Sequence, residues 1–357
     1  MPEVLLALGA GALAAAVAMP AVIVLLRRLR VLDVPNARSS HSRPTLRGGG
    51  LGVAVGVVTG VAVGLAVAGE AVDADVAALV LVPLGLGALG FADDVRSLGV
   101  RSRMLCQLVL GGAGAGLLVS GTDAGPSAVG AAVLVGAVWV TGELNATNFM
   151  DGINGITGIT AAVIAGSQAV VGVAVDSPAV AIAGAALAGA AVGFLPYNVP
   201  RARVFLGDSG SYLIGSMLGL NAVAALRDGA PVVAVAAPFA VVLADTSVTL
   251  LRRVRAGERW WTPHRSHVYQ RLASGSLGHT RAAVLVGALT AICAGAGLAA
   301  LPGDEVVAST LAVTVVAVVV GGYLRLPGQI VPSVPTVMPT ATPSNPPHRQ
   351  VEESRPR

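Results

Sequence analysis

Apolar runs alternate with short polar stretches along most of this chain, and the length of the runs is the first clue to its fold. A helix needs about 20 apolar residues to cross the hydrocarbon core of a bilayer. Eleven runs qualify, at roughly 4–26, 48–68, 76–92, 104–120, 127–144, 156–175, 178–195, 209–226, 230–251, 282–301 and 307–325. Several are short or rich in glycine, so ten is an alternative count. Small residues within them, as in Gly111-Gly112-Ala113-Gly114, permit close helix contacts. The pattern predicts an all-α fold, a polytopic integral membrane protein. Past about Pro327 the apolar pattern stops and Pro, Ser and Thr dominate. Residues 1–326 therefore read as one multi-pass domain and 327–357 as a disordered tail.

The polar stretches gather at alternate junctions. They are Ser39–Gly50 (SSHSRPTLRGGG), Asp93-Asp94 with Arg103 and Gln107, Asn145–Gly158 (NATNFMDGINGITG), Tyr197–Ser211 (YNVPRARVFLGDSGS) and Trp260–Arg271. If the Asn145 stretch is helical, Asn145, Asn148 and Asp151 recur every three residues and share one side. A carboxylate at a helix centre in lipid costs about 2.5–3.5 kcal/mol on insertion scales. Two amides and an acid here therefore predict a polar site at a membrane boundary. The plainer alternative is an interfacial turn with a helix cap.

Composition agrees with the membrane class. The chain is 54% hydrophobic and 12% charged, against about 25% charged in soluble domains. Its 23 basic residues are all Arg, which fits a GC-rich coding bias. Cys106 and Cys293 lie in apolar segments without metal-ligand spacing, so no disulfide is expected. The first apolar run lacks a basic region before it and reads as a retained helix, not a cleaved signal. Arginine placement then sets orientation. With the N-terminus outside, 22 of the 23 arginines fall in inner loops or the tail, and only Arg227 lies outside. All five polar clusters and all five histidines lie on that inner side. The expected location is the cytoplasmic membrane, with a cytosolic active site and C-terminal tail.

Four acids, Asp93, Asp94, Asp151 and Asp208, can meet only through tertiary packing, and together they repel unless a cation lies among them. Mg²⁺ suits such oxygen ligands. Taken singly, Asp93-Asp94 could be a solvated helix end. Asp208 could be an N-cap, since Gly-Asp-Ser-Gly precedes an apolar run, and the N–H groups of that helix start would favour an anion. His264 and His267 make a weak zinc case; Arg265 between them argues for phosphate. An ordinary basic inner loop is the alternative there. Gly48–Gly50 is not a dinucleotide fingerprint, because strand and spacing are missing. His41 is ambiguous. Asp245, inside the ninth run, is either functional or paired with Arg252. Acids for a metal, arginines for phosphates and histidines together point to phosphoryl chemistry at the membrane surface.

At these clusters the sequence resembles the polyprenyl-phosphate N-acetylhexosamine-1-phosphate transferases. SSHSRPTLRGGG, FADD, NATNFMDGINGITG, YNVPRARVFLGDSGS and HRSHVYQRL stand in the family's order across about residues 1–325. The resemblance implies transfer of sugar-1-phosphate from a UDP-N-acetylhexosamine to polyprenyl phosphate (undecaprenyl or decaprenyl), with release of UMP. It implies Mg²⁺ or Mn²⁺ as cofactor, membrane lipid as surroundings and no nucleic acid; a homodimer is left open. Asp208 and Asp151 would lie at the metal and donor pyrophosphate. Asp93 and Asp94 would lie near the lipid phosphate, one of the two acting as base if one is needed, and Arg103 would bind substrate. Asn145, Asn148, Asn198 and Phe205 fall on the nucleotide side, Phe205 able to stack on uracil, and Asn154 is a further substrate-binding candidate. His264, Arg265 and His267 fall where the family binds donor phosphates. Two departures stand out. Asn154 replaces the second Asp of the usual DG-x-DG pattern. Tyr269 and Gln270 replace further histidines, a form closer to the branch acting on 6-deoxy sugars and least like the peptidoglycan branch. A flippase or transporter of the same helix count and an inactive paralogue are the competing readings. A transporter should carry ionisable groups near the midplane and an internal repeat, and neither is apparent.

Overall fold

The structure is a computed structural model, and it describes residues 1–35, 43–120, 122–123, 125–258, 265–301 and 305–330. Among these residues eleven helices are long and apolar enough to cross a membrane: α1 (Pro2–Leu29), α2 (Gly50–Ala68), α3 (Ala74–Arg96), α4 (Val100–Val119), α5 (Pro126–Met150), α6 (Ile156–Ala174), α7 (Pro178–Asn198), α8 (Gly207–Arg227), α9 (Val232–Arg255), α11 (Gly278–Leu298) and α12 (Glu305–Ile330). A short helix, α10 (Val268–Leu272), precedes α11. Helix starts follow local chemistry. Pro2, Pro126 and Pro178 sit in first turns, where a missing N–H costs nothing. The Asp73 carboxylate accepts from the Val76 N–H at 2.9 Å and opens α3.

All eleven expected runs are helices. The chief departure is at the third polar cluster: α5 continues to Met150, past the expected end at 144, and residues 151–155 then turn. Asn145 and Asn148 are therefore helical, whereas Asp151 sits in the turn beyond, so the three do not form one helical row. The last helix runs to Ile330, and residues 331–357 lie outside the described residues, as do His41 and His264.

A small sheet was not expected. β1 (Leu32–Asp33) pairs antiparallel with β2 (Thr45–Arg47), which pairs parallel with β3 (Val204–Phe205). Strands this short show no alternation to read. The sheet joins the α1–α2 and α7–α8 connections and sets Arg47 opposite Phe205.

α8 is the central helix: 89% of its membrane window is buried, against 11% for α12. It packs on α3 and α5, while α1, α2 and α7 form a second group that meets it through α2 and α7. Glycine makes the closest approaches. A Cβ on Gly90 would lie 2.2 Å from the Asp208 carbonyl oxygen, and one on Gly50 would lie 2.2 Å from the Gly210 nitrogen. The Gly48–Gly50 run thus lets α2 meet the start of α8. Leu13, Val17, Leu134, Val135 and Val318 point outward. On helices apolar on every side, that surface faces lipid.

Candidate active site

Polar side chains converge where α8 begins. Arg47, carried on β2, donates from Nη2 to Asp208 Oδ1 at 2.6 Å, and its Nε pairs with Asp94 Oδ1 at 2.7 Å. Asn148, on the last turn of α5, donates to the same Asp208 oxygen and to Ser211 Oγ, each at 2.9 Å. Arg103, on the first turn of α4, pairs with Asp93 Oδ2 and stands 3.9 Å from Asp208 Oδ2. Asp93 also accepts from the Leu98 N–H at 2.6 Å and the Tyr212 hydroxyl at 3.4 Å. Loops distant in sequence thus deliver three acids, two arginines and an amide to one end of the bundle.

The start of α8 corrects two expectations. Asp208 is not its N-cap. The Asp208 and Ser209 N–H groups donate instead to the two Asp94 oxygens, at 2.9 and 3.0 Å. Asp94 therefore caps α8 from α3, and a fully enclosed Asp94 side chain fills the place offered to an external anion. Asp208 is left facing the polar cluster.

Asp151 lies in the turn after α5 and accepts from Thr157 Oγ1 at 2.8 Å. Burial raises its carboxyl to about 7. The Thr157 hydroxyl and the Arg47 charge oppose that rise, and Asp208 and Asp94 add to it. Arg47 shows the reverse balance. Burial works against its charge, but Asp208, Asp94 and Asp33 outweigh it and hold the guanidinium above its ordinary value.

The last connection reaches the same turn. Tyr269, at the start of α10, donates its hydroxyl to the Phe149 carbonyl at 2.8 Å. His267 is buried, stacked on Tyr269 with ring centroids 5.6 Å apart and 6.3 Å from Phe149. Arg265 is exposed at the edge of the same connection.

The amides do not act alike. Asn198 accepts from the Gly155 N–H at 2.6 Å and donates to the Val204 carbonyl at 3.1 Å, bracing the 151–155 turn against β3. Asn154 donates to the Pro200 carbonyl at 3.1 Å and braces the same junction. Asn145 faces α4, donating to Gln107 Oε1 at 2.8 Å and the Thr141 carbonyl at 2.7 Å. Phe205 is half-buried on β3 beside Arg47. Only Asn148 of the four joins the acid cluster directly. Sequence reasoning missed Arg47, Ser211, Thr157 and Tyr212. Arg47 lay in a quoted stretch, but positive-inside bias alone accounts for an arginine there.

Residues 76–226, which hold most of this cluster, match the family described as glycosyl transferase family 4. The chain is 30% identical to the decaprenyl-phosphate N-acetylglucosaminephosphotransferase of Mycolicibacterium smegmatis, over 74% of this chain and 73% of that one. It is 34% identical to the phospho-N-acetylmuramoyl-pentapeptide-transferase of Symbiobacterium thermophilum, over 60% of this chain and 72% of that one. The enzyme of that name from Bacillus cytotoxicus is also 34% identical, over 43% of this chain and 53% of its own length. Both kinds of relative align at similar identity, so identity alone assigns the chain to neither branch. Eleven membrane-length helices, an acid cluster at one end and this similarity lead to one conclusion: the chain belongs to glycosyl transferase family 4 and is a multi-pass membrane transferase.

Proposed function

We propose that the protein transfers N-acetylhexosamine-1-phosphate from a UDP-sugar to polyprenyl phosphate, releasing UMP at the cytosolic face of the cytoplasmic membrane. One observation carries this reading: Asp208 is tied to Arg47, Arg103 and Asn148, so connections far apart in sequence meet at a single charged cluster. In the reaction a phosphate oxygen of the lipid bonds to the β-phosphorus of the donor. The bond from that phosphorus to the oxygen bridging the two phosphates breaks, and UMP departs with the electron pair. The attacking phosphate is already anionic at neutral pH, so orientation and charge neutralisation matter more than a base.

The side chains divide accordingly. Arg47 and Arg103 face phosphate oxygens once substrate competes for them, and the last connection meets the donor pyrophosphate through Arg265 at its edge and His267 beside it. Asp94, engaged by Arg47 and the α8 amides, fixes the start of that helix. Asp93, held by Arg103, Leu98 and Tyr212, stays the nearer of the pair to the lipid phosphate and keeps the base role open. Asn148 and Phe205 contact the nucleotide, while Asn198 and Asn154 hold its loop.

A Mg²⁺ or Mn²⁺ cofactor belongs to this proposal. Among the described residues no three His, Cys, Asp or Glu side chains group closely enough to hold a metal by themselves. That fits Mg²⁺, which takes one or two carboxylates and completes its shell with phosphate and water. Asp208 and Asp151 supply the carboxylates, and Asp151, raised by burial, is an acid that a cation would relieve. The ion, when bound, would neutralise charge on the donor pyrophosphate.

The test is purified full-length protein with polyprenyl phosphate, Mg²⁺ and a panel of UDP-N-acetylhexosamines, with UMP followed. Turnover with at least one donor is expected, and Asp208→Asn abolishes it while the protein stays folded. Near-normal activity of that variant would contradict the assignment of Asp208.

A further inference from the structure

We propose that Asp245, an acid in the ninth membrane helix outside the charged cluster, is the positioning residue for His267. The proposal rests on the reading that His267 contacts the donor phosphates. The Asp245 side chain is wholly enclosed and has five hydrogen-bond partners. Oδ1 accepts from His267 Nδ1 at 3.1 Å, the Val268 N–H at 3.0 Å and Thr249 Oγ1 at 3.2 Å. Oδ2 accepts from the Tyr269 N–H at 3.1 Å and the Tyr323 hydroxyl at 2.6 Å. The expected alternative, a pairing with Arg252, is not what the structure shows.

Several consequences follow from that geometry. With Nδ1 facing a carboxylate, the imidazole carries a proton on that nitrogen and is held in one ring plane. The backbone bonds fix residues 268 and 269, so Tyr269 can hold Phe149 through its hydroxyl. Because Asp151 is two residues beyond Phe149, one buried acid sets both the histidine and the turn carrying Asp151. Tyr323 brings α12 into the same arrangement, giving the outermost helix a role in a site it does not line. An amide at 245 could not do this. It keeps one acceptor oxygen, and its NH₂ group would face donors.

Carboxylates that orient metal-ligating histidines are worth about 10–100-fold in activity, and that scale is taken for Asp245. For Asp245→Asn we expect a fall in kcat within about that range, with KM changed by less than about threefold. His267→Ala should fall by at least as much. The double variant should be no worse than His267→Ala within about threefold, since residues acting as a unit are not additive. Tyr323→Phe removes only a hydroxyl and keeps the fold accessible to test should Asp245→Asn not fold. It should lower kcat several-fold in the wild-type background and not at all beside His267→Ala. Hydrogen exchange in the substrate-free full chain should rise at residues 267–271 in Asp245→Asn or Tyr323→Phe.

Full activity in both Asp245→Asn and Tyr323→Phe, while His267→Ala is impaired, would overturn the proposal alone. So would losses that multiply with that of His267→Ala. Full activity in His267→Ala would instead remove the underlying reading and the proposal with it. If the wild type turns over no donor, unchanged exchange at 267–271 overturns the positioning role, and increased exchange supports it.

Discussion

Arg47 is the side chain on which the charge balance of the site turns. It bridges Asp94 and Asp208 at 2.7 and 2.6 Å, and Asp94 is completely enclosed. Removing one partner of such a pair leaves a buried charge unpaired, which costs 3–5 kcal/mol in well-buried cases. Arg47 is itself one-third exposed, so Arg47→Ala should cost about 3 kcal/mol, the low end of that range. Arg47→Lys should restore part of the stability and little of the activity, since one ammonium cannot reproduce a planar bridge between two carboxylates. Thermal melting and turnover of the three proteins together check this. Equal melting points would show that Asp94 and Asp208 do not depend on Arg47. The acids themselves were legible in the sequence because carboxylates beside membrane helices are conspicuous. Arg47 was not, because an arginine in an inner loop already has a sufficient explanation in topology.

At the scale of elements, the meeting of α3 with the first turn of α8 positions most of the cluster. Gly90 allows it: a Cβ there would stand 2.2 Å from the Asp208 carbonyl oxygen, which backbone cannot yield cheaply. Gly90→Ala should therefore displace the start of α8, with loss of both activity and stability. Gly142→Ala, where nothing lies within 4 Å of the added atom, should be neutral. Comparable melting temperatures and activities for the two variants would contradict this packing. The long helices were readable from apolar run length, since eleven stretches of membrane-spanning length are unambiguous. Their ends were less so. In the continuation of α5 to Met150, Asn148 finds its partners, Asp208 and Ser211, on another helix. The three-stranded sheet was invisible because its strands are two or three residues long. The expected cap at Asp208 failed for a related reason: the cap comes from Asp94, more than a hundred residues away.

For the whole molecule, the deeply buried α8 acts as an axis around which the other spans deliver their polar ends. The arginine-bearing connections meet at one end, and Arg227 at the other pairs with Asp75 and Asp228 at 2.5 and 2.7 Å. That division is the structural counterpart of the arginine bias in the sequence, on which the proposed cytosolic side of the charged site rests. A membrane-boundary site lets a water-soluble donor and a lipid acceptor meet without either leaving its own phase. The most direct measurement of the central claim uses a UDP-sugar labelled separately in its β-phosphate and its sugar, supplied with polyprenyl phosphate and Mg²⁺ to the purified protein. The account predicts that both labels enter the lipid in equal amounts, with one UMP released for each. Lipid carrying the sugar label without the β-phosphate label, with UDP released instead, would contradict it.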